Sequence, residues 1–210
     1  MIRILIADDH AIVRQGLKQI LSDAPDLVVA GEASNGVEAL RMLRENAYDM
    51  LLLDIAMPGK SGIEVLKQIK QETPKLPVLI LSIYPEEQYA VRLIKAGAAS
   101  YLNKESAPEQ LVKAIRTVAA GKRFISPSVA ELIANELERD SDQPPHQALS
   151  DREFQILRLI ASGKTVSEIA DTLALSVKTV STYRTRLLDK MQLKNNAELT
   201  HYAIKNNLIE

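Results

Sequence analysis

Asp8-Asp9, Asp54, Ser82 and Lys104 are the residues whose types and spacing suggest chemistry. Each stands at or just past the end of a short apolar run. Ile2–Ala7 leads into Asp8 and Asp9, Met50–Leu53 into Asp54, Val78–Leu81 into Ser82, and Ser100–Leu102 stops shortly before Lys104. Three carboxylates brought together repel, so a shared site must protonate one or bind a cation. Oxygen donors without histidine or cysteine favour Mg²⁺, which keeps several waters and takes few protein ligands. The backbone carbonyl of Ala56 is a further candidate ligand. Such a site leaves a face open for a phosphoryl group. Lys104 would neutralise its oxygens, Ser82 would donate a hydrogen bond, and an aspartate would be the nucleophile that forms an acyl-phosphate. Taken singly, Asp8-Asp9 could equally cap a following helix, and Lys104 could be a solvated lysine. The joint pattern, shared by all four runs, favours one site.

Bringing these residues together requires a particular set of elements. The four runs, with a fifth at Leu27–Ala33, are too short and too β-rich for helices. Between them lie helical patterns at Ile12–Leu21, Gly36–Glu45, Gly62–Gln71, Glu86–Ala96 and Pro108–Ala120. Such alternation predicts an α/β fold, a parallel sheet with helices on both faces. Five units fit the flavodoxin-like, doubly wound order 2-1-3-4-5, which places ligands beyond the carboxyl ends of strands.

The 210 residues contain no cysteine, which excludes disulfides, thiolate metal sites and a cysteine nucleophile. His10, His146 and His201 are far apart in sequence, which argues against a histidine-rich metal site. No apolar run approaches the roughly 18 residues of a membrane span. The two acids after the short first run are wrong for a signal peptide. A cytoplasmic protein without a membrane partner is expected. No glycine-rich phosphate loop is present.

The net charge of −1 is unevenly spread. Residues 1–125 hold 16 basic and 15 acidic residues, 126–147 hold one and five, and 148–210 hold nine and seven. The middle zone, polar and with Pro144-Pro145, reads as a linker with a possible short helix at Ser128–Leu137. The expected domains are 1–122 and 148–210, joined by 123–147.

Residues 148–210 show no strand pattern. Ser150 and Glu153 form a capping-box signature ahead of an apolar helix, Asp151–Ala161, which Ser162-Gly163 stops. A short helix, Val166–Leu173, a tight turn at Ala174–Ser176 and a longer helix, Val177–Met191, predict an all-α helix-turn-helix domain. The second of these helices would lie in the major groove of double-stranded DNA. It carries Lys178, Arg184, Arg186 and Lys190 against Asp189, interleaved with Thr179, Ser181, Thr182 and Tyr183. Most of the bases would grip phosphates, and Lys178 and Thr182, early on the helix, are candidates for base contact.

Asp8-Asp9, Leu51 to Gly59, Leu81-Ser82, Ala96-Gly97-Ala98 and Tyr101 to Lys104 resemble the receiver domain of two-component response regulators. The resemblance spans residues 1 to about 120. It implies that Asp54 accepts a phosphoryl group from a sensor histidine kinase. Asp9 and Asp54 would bind Mg²⁺ directly and Asp8 through water. Ser82 and Tyr101 would be the switch pair, the aromatic ring following the hydroxyl inward. Glu105 stands where many receivers carry proline. Leu149-Ser150, Arg152-Glu153, Glu168-Ile169-Ala170, Leu175-Ser176, Thr179-Val180 and Lys190-Met191 resemble the LuxR-type helix-turn-helix. Together the two halves resemble NarL/FixJ-type response regulators, with Val180–Leu187 similar to a BvgA/EvgA-like branch. The resemblance implies a homodimer when phosphorylated, with contacts from the last helix, Ala197–Asn206. It implies no enzyme beyond the receiver's own phosphorylation and dephosphorylation. Two other readings stand beside it: a phosphate-independent DNA-binding regulator whose receiver is a scaffold, and an aspartate-nucleophile phosphotransferase.

Overall fold

The computed structural model describes residues 1–105, 107–138 and 144–209. The chain divides into two compact units, Met1–Leu132 and Ile133–Glu210. Residues 139–143 of the acidic stretch read as linker lie outside the described residues.

The first unit alternates strand and helix: β1 Ile2–Ala7, α1 Ala11–Ser22, β2 Leu27–Ala33, α2 Gly36–Glu45, β3 Met50–Asp54, α3 Gly62–Glu72, β4 Val78–Ser82, α4 Glu86–Lys95, β5 Ser100–Asn103 and α5 Ala107–Ala119. The sheet is parallel throughout, in the order β2-β1-β3-β4-β5, as the alternation predicted. Each of the two strands that follow β1 in this order, β3 and β4, is buried over its whole length. Residues two apart on a strand share a face. Ile4, Ile6, Leu52, Leu79 and Leu81 therefore pack with Leu17 and Leu21 of α1 and with Leu111, Ile115 and Val118 of α5. Leu5, Leu51, Leu53 and Ile80 alternate to the opposite face, and all four are fully buried.

A sixth helix, α6 (Pro127–Glu138), stands where the apolar face at Ser128–Leu137 suggested one. Its start is tied to α4: the Ser126 hydroxyl donates to both carboxylate oxygens of Glu86, at 3.0 Å, and Ser128 donates to Oε2.

The second unit is helical: a 3₁₀ turn at Pro145–Ala148, α7 Asp151–Ala161, α8 Val166–Leu173, α9 Val177–Met191 and α10 Asn196–Lys205. The Ser150–Glu153 capping box is present, and Thr165 and Glu168 form a second one before α8. The helix-turn-helix corner is made by Ala174 in the left-handed region (φ 52°), which closes the Leu175 N–H onto the Ala170 carbonyl. Ser176 then caps α9 by accepting from the Thr179 amide. Phe154, Ile156, Leu157, Ile169, Leu173, Val180, Leu187 and Leu199 fill the core. Among the described residues, no helix is long and apolar enough to cross a membrane.

Candidate functional site

Strand register assembles the first site. Ala7 pairs with Leu53, so Asp8 and Asp54, each the next residue, leave neighbouring strands side by side. Asp54 pairs with Leu81 and Ser82 with Asn103, so Ser82 and Lys104 continue the same rim. The Lys104 amide donates to the Ser82 carbonyl at 2.8 Å, which holds these two ends together. Residues scattered over nearly a hundred positions thus reach one edge, because parallel strands present all their carboxyl ends together.

Asp8 and Asp54 are each only 1% exposed. The Lys104 ammonium lies 2.6 Å from Asp8 Oδ2 and 3.2 Å from Asp54 Oδ2. Burial pushes the Asp54 carboxyl above its ordinary value of 3.8; Lys104 opposes this, and the Asp8 carboxylate adds to it. Among the described residues, the buried Asp54 Oδ1 has no hydrogen-bond partner that meets strict geometry. Carboxylate oxygens of Asp8, Asp9 and Asp54 and a ring nitrogen of His10 lie within 4.8 Å of one another. This hard, mostly oxygen donor set suits a divalent cation. Ala56 follows in the β3–α3 loop, half-buried.

Gly62, at the start of α3, shapes this loop. A Cβ there would run into the Asp54 carbonyl oxygen and the Ile55 Cα. The close approach lets α3 begin directly beneath the end of β3, where Ser61 and Glu64 form a capping box.

Ser82 is fully buried, and its hydroxyl accepts from the Tyr84 amide at 3.0 Å. Tyr101 is 1% exposed, with its ring inward and its hydroxyl donating to the Tyr84 carbonyl at 2.7 Å. Tyr84 thus joins both members of the expected switch pair, a link that no motif marks. His10 was missed as well. The separation of the three histidines in sequence concealed that one sits beside the acids. Its amide donates to Asp8 Oδ1 at 2.8 Å, and its ring stands 3.0 Å from Asp9 Oδ1. The adjacency to Asp9 was the available signal. Neither Asp8 nor Asp9 caps α1; His10 occupies that position, with no side-chain cap.

The second site is the outer face of α9. Val180, Leu187, Leu188 and Met191 are buried, which turns Lys178, Ser181, Thr182 and Arg186 to solvent. Three of the other four candidates are engaged within the unit, and the hydroxyl of the exposed Thr182 donates to the Lys178 carbonyl at 2.9 Å. The Thr179 hydroxyl bonds the Ser176 hydroxyl at 2.7 Å. Arg184 donates to Asn196 at 2.7 Å, and Tyr183 is half-buried beside it. Lys190 donates to Glu153 Oε2 at 2.7 Å. Burial of Glu153 raises its carboxyl pKa, but Lys190 and the amide and hydroxyl of Ser150 outweigh this and bring it below its ordinary value.

Residues 4–116 match the response regulator receiver domain, and residues 147–203 match the bacterial regulatory proteins of the luxR family. The chain is 40% identical over 209 residues to response regulator UvrY of Escherichia coli K12, covering 99% of this chain and 96% of that one. It is 37% identical over 211 residues to response regulator GacA of Pseudomonas aeruginosa, covering 100% and 99%. It also resembles RcsB of Salmonella enterica serovar Typhimurium, solved on the rprA promoter with the phosphomimetic BeF3⁻. There the TM-score is 0.65 at 27% identity, over 96% of this chain and 98% of that one. A receiver-type rim on one unit and a LuxR-type reader on the other agree with these matches along the whole chain. It belongs to the NarL/FixJ-type response regulators, which join a receiver domain to a LuxR-type DNA-binding domain.

Proposed function

We propose that transfer of a phosphoryl group to Asp54 controls DNA binding by this response regulator. The observation that carries the reading is the buried Asp54 carboxylate beside the Lys104 ammonium, with Asp8 and Asp9 on the same rim. A sensor histidine kinase would be the donor. An oxygen of Asp54 forms the new P–O bond as the P–N bond of the donor phosphohistidine breaks. Lys104 neutralises the phosphoryl oxygens, and the Ser82 hydroxyl turns from the Tyr84 amide to donate to one of them. Tyr84 also accepts from Tyr101, so that turn reaches the ring of the switch pair. Asp8, Asp9, Asp54 and the Ala56 carbonyl would hold Mg²⁺, whose charge offsets the carboxylates and the incoming group. The regulatory step is a shift between two receiver states, with the phosphoryl group favouring one.

Lys178, Ser181, Thr182 and Arg186 are the foremost DNA contacts on this reading, with Thr179, Tyr183 and Arg184 at the flank. Lys190 acts first through Glu153. A phosphorylated homodimer would place two readers on paired half-sites. The exposed Ile204 on α10 is an apolar group available to that contact. Residues 1–122 would be the receiver, 123–147 the linker and 148–210 the reader, working in the cytoplasm. Outside self-phosphorylation and dephosphorylation, no turnover is expected.

The test is intact mass after incubation with a small acyl-phosphate donor and Mg²⁺, followed by DNA binding, for wild type and Asp54→Asn. One adduct on the wild type alone, with tighter DNA binding, is the expected result. Equal DNA binding by both proteins would instead support a scaffold receiver. Steady turnover of a phosphate ester would support a phosphotransferase.

A further inference from the structure

The rim contains one group that a purely carboxylate site does not need. The His10 Nδ1 stands 3.0 Å from Asp9 Oδ1 and 3.3 Å from Asp8 Oδ1. Two donors held at right angles on one small divalent ion, each about 2.1 Å from it, are about 3 Å apart. The imidazole and the two carboxylates therefore already have the spacing of neighbouring ligands.

The Lys104 ammonium does not contest this side. It contacts Oδ2 of Asp8 and Oδ2 of Asp54, whereas His10 faces Oδ1 of Asp8 and Oδ1 of Asp9. A carboxylate oxygen of the buried Asp54 belongs to the same group of candidate donors. His10 is also held in place: its own amide donates to Asp8 Oδ1, so the chain turns there under the control of the acid that the ring approaches. The ring itself lies 64% exposed at the mouth of the cluster, where an arriving ion would meet it.

We propose that His10 is a metal ligand that sets the ion preference of this site. The inference rests on the cation-binding reading given above. Mg²⁺ gains little from an imidazole, because it prefers oxygen and water. A borderline transition ion gains a nitrogen donor, and such sites strengthen along the series from Mn²⁺ through Co²⁺ and Ni²⁺. The carboxylates alone serve either kind of ion. With His10 the same cluster favours the transition ion, so the receiver can take a metal other than Mg²⁺ at lower free concentration.

Calorimetric titrations of the chelator-treated full-length chain with Co²⁺ and with Mg²⁺ test this for wild type, His10→Ala, His10→Gln and Asp54→Asn. His10 is exposed and makes no side-chain cap, so its substitution should leave the far-UV circular dichroism unchanged. The expected result is a loss of Co²⁺ affinity of about tenfold or more in both His10 variants, with Mg²⁺ affinity changed less than about twofold. A Co²⁺-shifted imidazole N–H resonance should also be present in the wild type and absent in His10→Ala. Equal losses for the two ions, or no change for Co²⁺, would overturn the proposal. Co²⁺ binding lost in the His10 variants, with Mg²⁺ binding untouched by Asp54→Asn, would keep His10 as a ligand and overturn the Mg²⁺ assignment instead.

Discussion

The Lys104 ammonium is bound more closely to Asp8 than to the proposed phosphoacceptor, at 2.6 Å from Asp8 Oδ2. One cation compensates two nearly buried carboxylates from two different strands. Removing it leaves both charges uncompensated, which costs about 3–5 kcal/mol in a buried pair. Part of the burden would be relieved by protonation of Asp54. Lys104→Met should therefore lower the stability of the receiver by about 3 kcal/mol in the presence of a chelator. Mg²⁺ should restore more stability to this variant than to the wild type. Denaturant unfolding with and without the ion checks both.

The raised Asp54 pKa has a definite sign in stability. The folded state holds the proton more tightly than the unfolded chain. The stabilising contribution is complete below the ordinary value of 3.8, and it is lost as pH rises through the higher native pKa. At neutral pH the ionised group is a burden on the fold. Asp54→Asn should then be more stable than wild type near pH 7, with the difference shrinking toward acid. Thermal melts across pH in chelator would show it; an advantage that grew toward acid would contradict the assignment.

Gly62→Ala tests the close approach beneath Asp54. The added carbon meets backbone atoms of Asp54 and Ile55, which cannot move aside as a flexible side chain would. Overpacking of this kind costs about 1–3 kcal/mol. Its displacement falls on the backbone that carries the Asp54 carboxylate. The variant should lose phosphorylation rate out of proportion to stability, which a kinetic assay well below the melting temperature separates.

Arg186 and Lys190 should behave differently although both are bases on α9. Arg186→Ala is expected to weaken DNA binding and reduce the salt slope by about one, with stability unchanged. Lys190→Met removes a partner from the buried Glu153, whose carboxylate keeps the Ser150 amide and hydroxyl. Because Lys190 is itself half-exposed, the destabilisation should be about 1 kcal/mol. It should diminish as pH falls through the lowered Glu153 pKa. DNA titrations at several salt concentrations, paired with melts, distinguish the two residues.

The elements of this protein follow from the sequence by itself. Apolar runs ending at Asp8, Asp54 and Ser82 are strands because buried parallel strands are short and apolar throughout. The helix starts at Ser150 and Ser176 are legible because a cap is made by residues three positions apart. Alternation of strand and helix predicts a parallel sheet whose carboxyl ends share one rim, and the order β2-β1-β3-β4-β5 with its register brings Asp8, Asp54, Ser82 and Lys104 together there. The tertiary structure decides the partners of individual side chains. Tyr101 meets the carbonyl of Tyr84, Lys190 meets Glu153 and Arg184 meets Asn196 across separate elements. His10 shows the limit at its shortest range: two residues from Asp8, its ring direction still depends on how the chain leaves β1 and enters α1. Periodicity and caps are written in near neighbours. Side-chain partners depend on strand register and on which faces pack, and these exist only once the chain is folded.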